Sequence, residues 1–150
     1  MAGNSQFNVV RDTLIQHVEN EWVDPYPAGP LRTPVEYPNQ IDKFVPPTDA
    51  PWARLFWTFT TSVDSTIGGI NPLNRIIMLV SFDLFVPRAS GTLYIYENLL
   101  VPAINMFNRR TVEPILFEGS NPSQIVTEDP WYRVRVSTNS FFFIAGNCEP

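Results

Sequence analysis

The sequence predicts an α+β fold: a mostly antiparallel, four-stranded sheet with a long β-hairpin, packed against two helices. Three observations carry that expectation. Two stretches, Pro51–Val63 and Arg75–Val86, are rich in aromatic and β-branched residues and read with the period of a strand. Two others, at the N-terminus and after Gly91, place apolar residues at spacings of three and four, the period of a helix. The order helix, strand, strand, helix, strand then sets two helices on one face of an antiparallel sheet.

Size and composition bound the rest. A chain of 150 residues suits one domain with one real core. We divide it into an N-terminal helix at about 5–20, a proline-rich arm at about 24–50, the sheet and second helix at about 51–143, and a short C-terminal tail. Hydrophobic residues make up 44% and charged residues only 17%, while aromatics reach 13% and prolines number 15. Fewer charges and more rings than a small monomer needs point to surface covered by other chains. The formal charge of −5, with Lys43 the single lysine, argues against a phosphate-binding surface. There is no signal-like N-terminus and no long apolar run, so a soluble chain made inside the cell is expected. Cys148 has no second cysteine to pair with.

Asn4 or Ser5 can cap the first helix, whose stripe is Phe7, Val10, Leu14, Val18 and Trp22 with Ile15 beside it. Arg11, Gln16, Glu19 and Asn20 take the wet side. His17, the only histidine, reads as a surface or boundary residue, because no second ligand-type residue lies at helical spacing. Pro25, Pro27, Pro30 and Pro34 with Gly29 make the next segment extended. Val35-Glu36-Tyr37 can form a short edge strand, and Phe44-Val45-Pro46-Pro47 is a further extended piece. These pieces suit either an arm over a neighbour or a loop wrapped over the chain's own core.

In the first long strand Ala53, Leu55, Trp57 and Phe59 share one face, while Trp52, Arg54, Phe56, Thr58 and Thr60 share the other. In the second, Ile76, Met78, Val80, Phe82, Leu84 and Val86 form a continuous core face. A long connection, Thr60–Asn74, joins them as a hairpin with an extended tip. Ile67 and Ile70 would be exposed if it were only a turn, which suits an arm to a neighbouring protomer or another partner; a disordered solvent loop, which its Gly and Ser content suits, is the competing account. The second helix presents Leu93, Tyr96, Leu99, Leu100, Ala103, Ile104 and Phe107, and Pro102 inside it requires a kink or break. Arg109-Arg110 suits the helix C-terminus. Val112–Phe117 reads as a short strand, Gly119–Pro122 as a turn, Gln124–Thr127 as ambiguous, and Trp131–Phe143 as the last strand. Trp57, Phe59, Val80, Phe82 and Leu100 are expected in the core.

No catalytic constellation assembles from these residues, and an enzyme is not expected. No Gly-x-Ser-x-Gly occurs, no histidine lies near Cys148, and no carboxylate–histidine set has metal-ligand spacing; cofactors and metals are expected to be none. Gly68-Gly69 lacks the Lys-Ser or Lys-Thr of a phosphate loop. Asp83 is expected to meet Arg54 or Arg133 across strands as an ion pair. The most distinctive local feature is Pro-Trp-x-Arg, which opens two strands, at Pro51-Trp52-Ala53-Arg54 and at Pro130-Trp131-Tyr132-Arg133.

Taken in order, Val35-Glu36-Tyr37-Pro38-Asn39, Phe44-Val45-Pro46-Pro47, Pro51-Trp52-Ala53-Arg54, Ser81-Phe82-Asp83-Leu84-Phe85-Val86-Pro87, Gly91-Thr92 and Pro130-Trp131-Tyr132-Arg133-Val134-Arg135-Val136 resemble a known set. The chain is similar, from its first helix to Phe143, to the tail terminator (tail completion) proteins of tailed bacteriophages. That resemblance implies a ring-forming subunit, usually one of six, at the head-proximal end of the tail tube. It implies the tail tube protein and neck or head-completion proteins as partners, genome DNA passing through the ring without sequence-specific contact, and no membrane. It implies a place in the virion after assembly in the host cytoplasm. The candidate inter-subunit contacts are Ile67, Ile70, Phe44 and Val45. The alternatives are another neck or head–tail adaptor component, or a small-molecule-binding or hydrolytic α+β domain, which would show an enclosed pocket with convergent polar groups.

Overall fold

In the computed structural model, which describes residues 2–23, 33–38, 43–47, 49–64, 73–93 and 95–145, helix α1 runs Ala2–Val18 and continues as a wide π-turn over Glu19–Val23. Its stripe follows from the spacing: Val10, Leu14, Val18 and Trp22 are buried and Phe7 is half-buried. Trp22 reaches the sheet, meeting Phe82 edge-on at 5.0 Å.

The sheet has seven strands: β1 (Val35–Glu36), β2 (Trp52–Asp64), β3 (Leu73–Pro87), β4 (Thr111–Val112), β5 (Ile115–Pro122), β6 (Val126–Glu128) and β7 (Trp131–Ala145). They lie in the order β1-β2-β3-β7-β5-β4, with β6 also on β7, and curl into a half-barrel. Among the described residues only β1 and β2 run parallel. Seven strands in a curled sheet correct the expected four-stranded one. The physical reason is length: β4 and β6, like the short edge strand β1 expected at Val35, are two or three residues long and exist through the register of their neighbours. Pro114 splits the expected Val112–Phe117 strand into a hairpin of β4 and β5. The expected turn at Gly119–Pro122 instead continues β5, past a shift in register between Phe117 and Ser120.

The connection expected over Thr60–Asn74 is shorter. β2 continues through a bulge between Phe59 and Thr61 until Asp64 pairs with Asn74. Thr60, Thr61 and Val63 are β-branched and suit a pleated surface, so the bulge extends the ladder instead of ending it. The remaining residues 65–72, with Ile67 and Ile70, lie outside the described residues. β2, β3 and β7 are 13, 15 and 15 residues long, so this blade reaches about 45–50 Å at about 3.3 Å per residue.

After β3, a 3-10 turn (Arg88–Ser90) ends at Gly91, whose φ of 74° and ψ of 172° favour glycine. A π-turn (Ile95–Leu99) then leads into α2 (Leu100–Phe107). The irregularity that Pro102 demands thus falls just upstream of it. The wide turn also shifts the helical phase. Ile95, Leu99, Ala103, Met106 and Phe107 face the core, whereas Leu93 and Tyr96, expected inward, are 63% and 52% exposed.

Both helices cover the inner face of the sheet. There Leu55, Ile76, Met78, Val80, Phe82, Leu84, Val134, Val136 and Phe142 meet the helical stripes in one core. Trp57 and Leu100 pack at its rim. Phe59 does not belong to it: it is 47% exposed, touching Phe7 and Phe142 only edge-on at 5.0 and 6.2 Å. It sits at the edge strand beside the start of α1, where Phe7 covers only part of its ring. His17 is buried, and its Nε2–H donates to the Met106 carbonyl at 2.7 Å, tying α1 to α2.

Candidate functional site

The two Pro-Trp-x-Arg openings come together on the outer face of the sheet. Register makes this happen: Trp52 lies opposite Phe85 on β3, and Phe85 lies opposite Arg133 on β7, two residues beyond Trp131. Trp52 stacks flat on Phe85, with centroids 4.0 Å apart and planes 4° from parallel. Trp131 meets Trp52 edge-on at 5.4 Å and Phe85 at 6.1 Å. Phe44 covers Trp52 from the other side at 5.4 Å. The Arg54 guanidinium sits 5.4 Å above Trp52 and 5.0 Å above Phe85, a cation over two ring faces. Glu36 of β1 holds it at 2.8 Å. The indole N–H groups of Trp52 and Trp131 are buried with no acceptor among the described residues.

One layer along lies Asp83, fully buried. Of its two expected partners it meets one, Arg133. Arg54 is directly opposite in register but is drawn to Glu36. Arg135, opposite on the other side, takes both carboxylate oxygens through Nε at 2.7 Å and Nη2 at 3.1 Å. Arg133 stands 3.6 Å from Oδ2 through Nη1, and its Nε lies 3.3 Å from Glu128 without hydrogen-bond geometry. Arg135 also covers Phe56 at 4.9 Å. The hydrogen bond to Asp83, with the charge behind it, raises the Arg135 pKa above its ordinary value. A buried carboxylate held by two guanidiniums is a structural ion pair, each of its oxygens accepting a hydrogen bond from Arg135. Sequence alternation placed Asp83 on this face but missed Arg135, although the Arg-Val-Arg pattern of β7 puts both arginines on it.

The described arm is fastened to its own chain. Pro34 accepts the Ala53 N–H at 2.9 Å, and the Tyr37 hydroxyl donates to Glu19. Of the candidate inter-subunit residues, Phe44 therefore rests on Trp52, while Val45 is 78% exposed. Cys148 lies outside the described residues.

Two open grooves flank the structure. One, of about 620 Å³, lies between Arg88, Asp129, Pro130 and Tyr132, with Arg88 bound to Asp129 at 2.6 Å. The other, of about 460 Å³, follows α1 past Val9, Asp12, Gln16 and His17. Among the described residues no group of three His, Cys, Asp or Glu could hold a metal ion, and no helix is long and apolar enough to cross a membrane.

Fold and site together define an α+β protein with a long three-stranded blade and an aromatic–guanidinium cluster on its outer face. No protein-family model matches the chain, and no curated protein sequence matches it. One solved structure, of a protein without a functional description, is similar to 93% of this chain over 97% of its own, with a TM-score of 0.53 and 17% identity. At that identity the likeness shows the fold alone.

Proposed function

We propose that the chain is a structural virion protein that closes the head-proximal end of a phage tail tube. In this reading it forms a homo-oligomeric ring, of six copies, and joins the tube to the neck or head-completion proteins. The observation that carries the reading is the spread of large exposed apolar side chains over separate elements: Val45, Leu93, Tyr96, Val101 and Phe59 are between 47% and 78% exposed. A ring interface is heterologous, so each protomer must offer two different patches, and apolar surface on opposite parts of one small chain suits that need. The ordered set of motifs supports it further, since the two Pro-Trp-x-Arg openings form a single cluster instead of two unrelated ones. Residues 65–72 of the β2–β3 hairpin serve in this reading as an arm to a neighbouring protomer or to the tube, with Ile67 and Ile70 as its contacts.

The test is electron microscopy of purified protein mixed with tail tubes, together with tail lengths in particles made without it. Rings capping one tube end, and overlong tails in their absence, are the expected result. A protein that leaves tube ends bare, with tails of normal length when it is missing, would refute the reading.

A further inference from the structure

His17 uses one ring nitrogen and leaves the other open. Its Nε2 lies 2.7 Å from the Met106 carbonyl, which can only accept, so the proton sits on Nε2 and the lone pair on Nδ1. Nδ1 meets no donor among the described residues, and it is not sealed from solvent as the indole nitrogens of Trp52 and Trp131 are. His17 as a whole is only 8% exposed, and it lines the groove of about 460 Å³ along α1. A ring pinned in one tautomer, with its lone pair turned toward a cleft, is a preorganised acceptor.

The helical period builds the rest of the cleft around that nitrogen. Thr13 lies one turn before His17, while Asp12, Gln16 and Asn20 form the adjoining row, each four residues from the next. Gln16 donates its amide to Asn20 Oδ1 at 2.9 Å, which leaves Gln16 Oε1 as an acceptor. Asp12 gives Oδ1 to Arg11 at 3.1 Å and keeps Oδ2. Val9 on α1 and Val112 on β4 supply apolar walls. Among the described residues that line the groove Asp12 is the one charge, and it is negative. We propose that this groove binds an alkylammonium ion. The ammonium meets Nδ1 of His17, Oδ2 of Asp12 and Oε1 of Gln16, and the methylene stem lies along Val9 and Val112. An ammonium carries three donors and no acceptor, which three acceptors satisfy. A carboxylate or phosphate finds no cation among the lining residues, and a metal ion finds no third ligand. The side chain of a lysine on a partner protein and a free polyamine share the ammonium chemistry, and the net charge of −5 favours the approach of either. The site goes beyond the ring reading and does not rest on it.

His17 is the only histidine, so its imidazole nitrogens give one unambiguous pair of NMR signals in the full chain. The titration is run at mildly alkaline pH, where the amines stay protonated. With n-butylammonium as the probe, the Nδ1 signal is expected to move toward that of a hydrogen-bonded nitrogen and to saturate at millimolar concentration, while Nε2 stays in place. 1-Butanol, which has the same stem, and sodium chloride at equal ionic strength are expected to leave Nδ1 unmoved. Asp12→Asn, at an exposed position, is expected to weaken butylammonium binding about tenfold, and circular dichroism checks that the variant folds. Acetyl-lysine methylamide binding as tightly as spermidine assigns the site to a partner's lysine side chain; spermidine binding at least about tenfold tighter assigns it to free polyamines. No movement of Nδ1 with any of the three amines, an equal response to butanol or to salt, or an affinity indifferent to Asp12→Asn would overturn the proposal.

Discussion

Among the described residues Asp83 is the one carboxylate with no exposure to water, and its neighbours show why it is tolerated. Two arginines from β7 neutralise it, and strand alternation delivers both to its side of the sheet. Removing one partner from a buried pair costs about 3–5 kcal/mol. Here Arg133 remains, and the Arg135 side chain keeps 38% exposure, so Arg135→Ala is expected to cost about 2–3 kcal/mol. That corresponds to a fall in Tm of roughly 5–10 °C. Adding Asp83→Asn should recover part of the loss, which separates an unpaired charge from lost packing. The pH dependence has a definite sign. Because the folded state raises the Arg135 pKa, its contribution is whole across ordinary pH and is lost only in strong alkali. Thermal melts of the variants between pH 5 and 9 should therefore run parallel so far as Arg135 is concerned. His17 shows the opposite use of a polar residue: its bond to Met106 joins two helices.

Strand β3 is the central element, paired with β2 along one side and β7 along the other. Its inner residues are all buried, and Phe82 also meets Trp22. Phe82→Ala removes a ring from the place where strand and helix packing meet, with an expected cost of about 3–5 kcal/mol. Chemical denaturation gives the value directly; a midpoint like that of wild type would contradict this packing. The hairpin tip behaves differently. Since Asp64 already pairs with Asn74, replacing residues 65–71 by Asn-Gly is expected to change stability by less than about 1 kcal/mol. If the tip is the arm proposed above, the shortened protein keeps its fold and fails to cap tubes. Capping by the shortened protein would remove the tip from the interface.

For the whole molecule the ring reading places its expectation at the ends of tail tubes. The sequence by itself determined the α+β class, the stripe of α1, the inner face of β3 and the outer position of Asp83. Each rests on periodicity, which local sequence carries without reference to distant residues. Only the tertiary structure decided the strand count, because β1, β4 and β6 owe their pairing to neighbours far along the chain. It decided that Leu93 and Tyr96 turn outward, since a π-turn ahead of Pro102 shifts the helical phase by an amount that spacing does not reveal. It placed Phe59 at the start of α1, where Phe7 meets it only edge-on and leaves a residue with a core-like pattern 47% exposed. And it chose Arg135 over Arg54 for Asp83, because β1 supplies Glu36 as a competing carboxylate. Periodicity states which face a side chain takes; which partner meets it there depends on how distant segments pack.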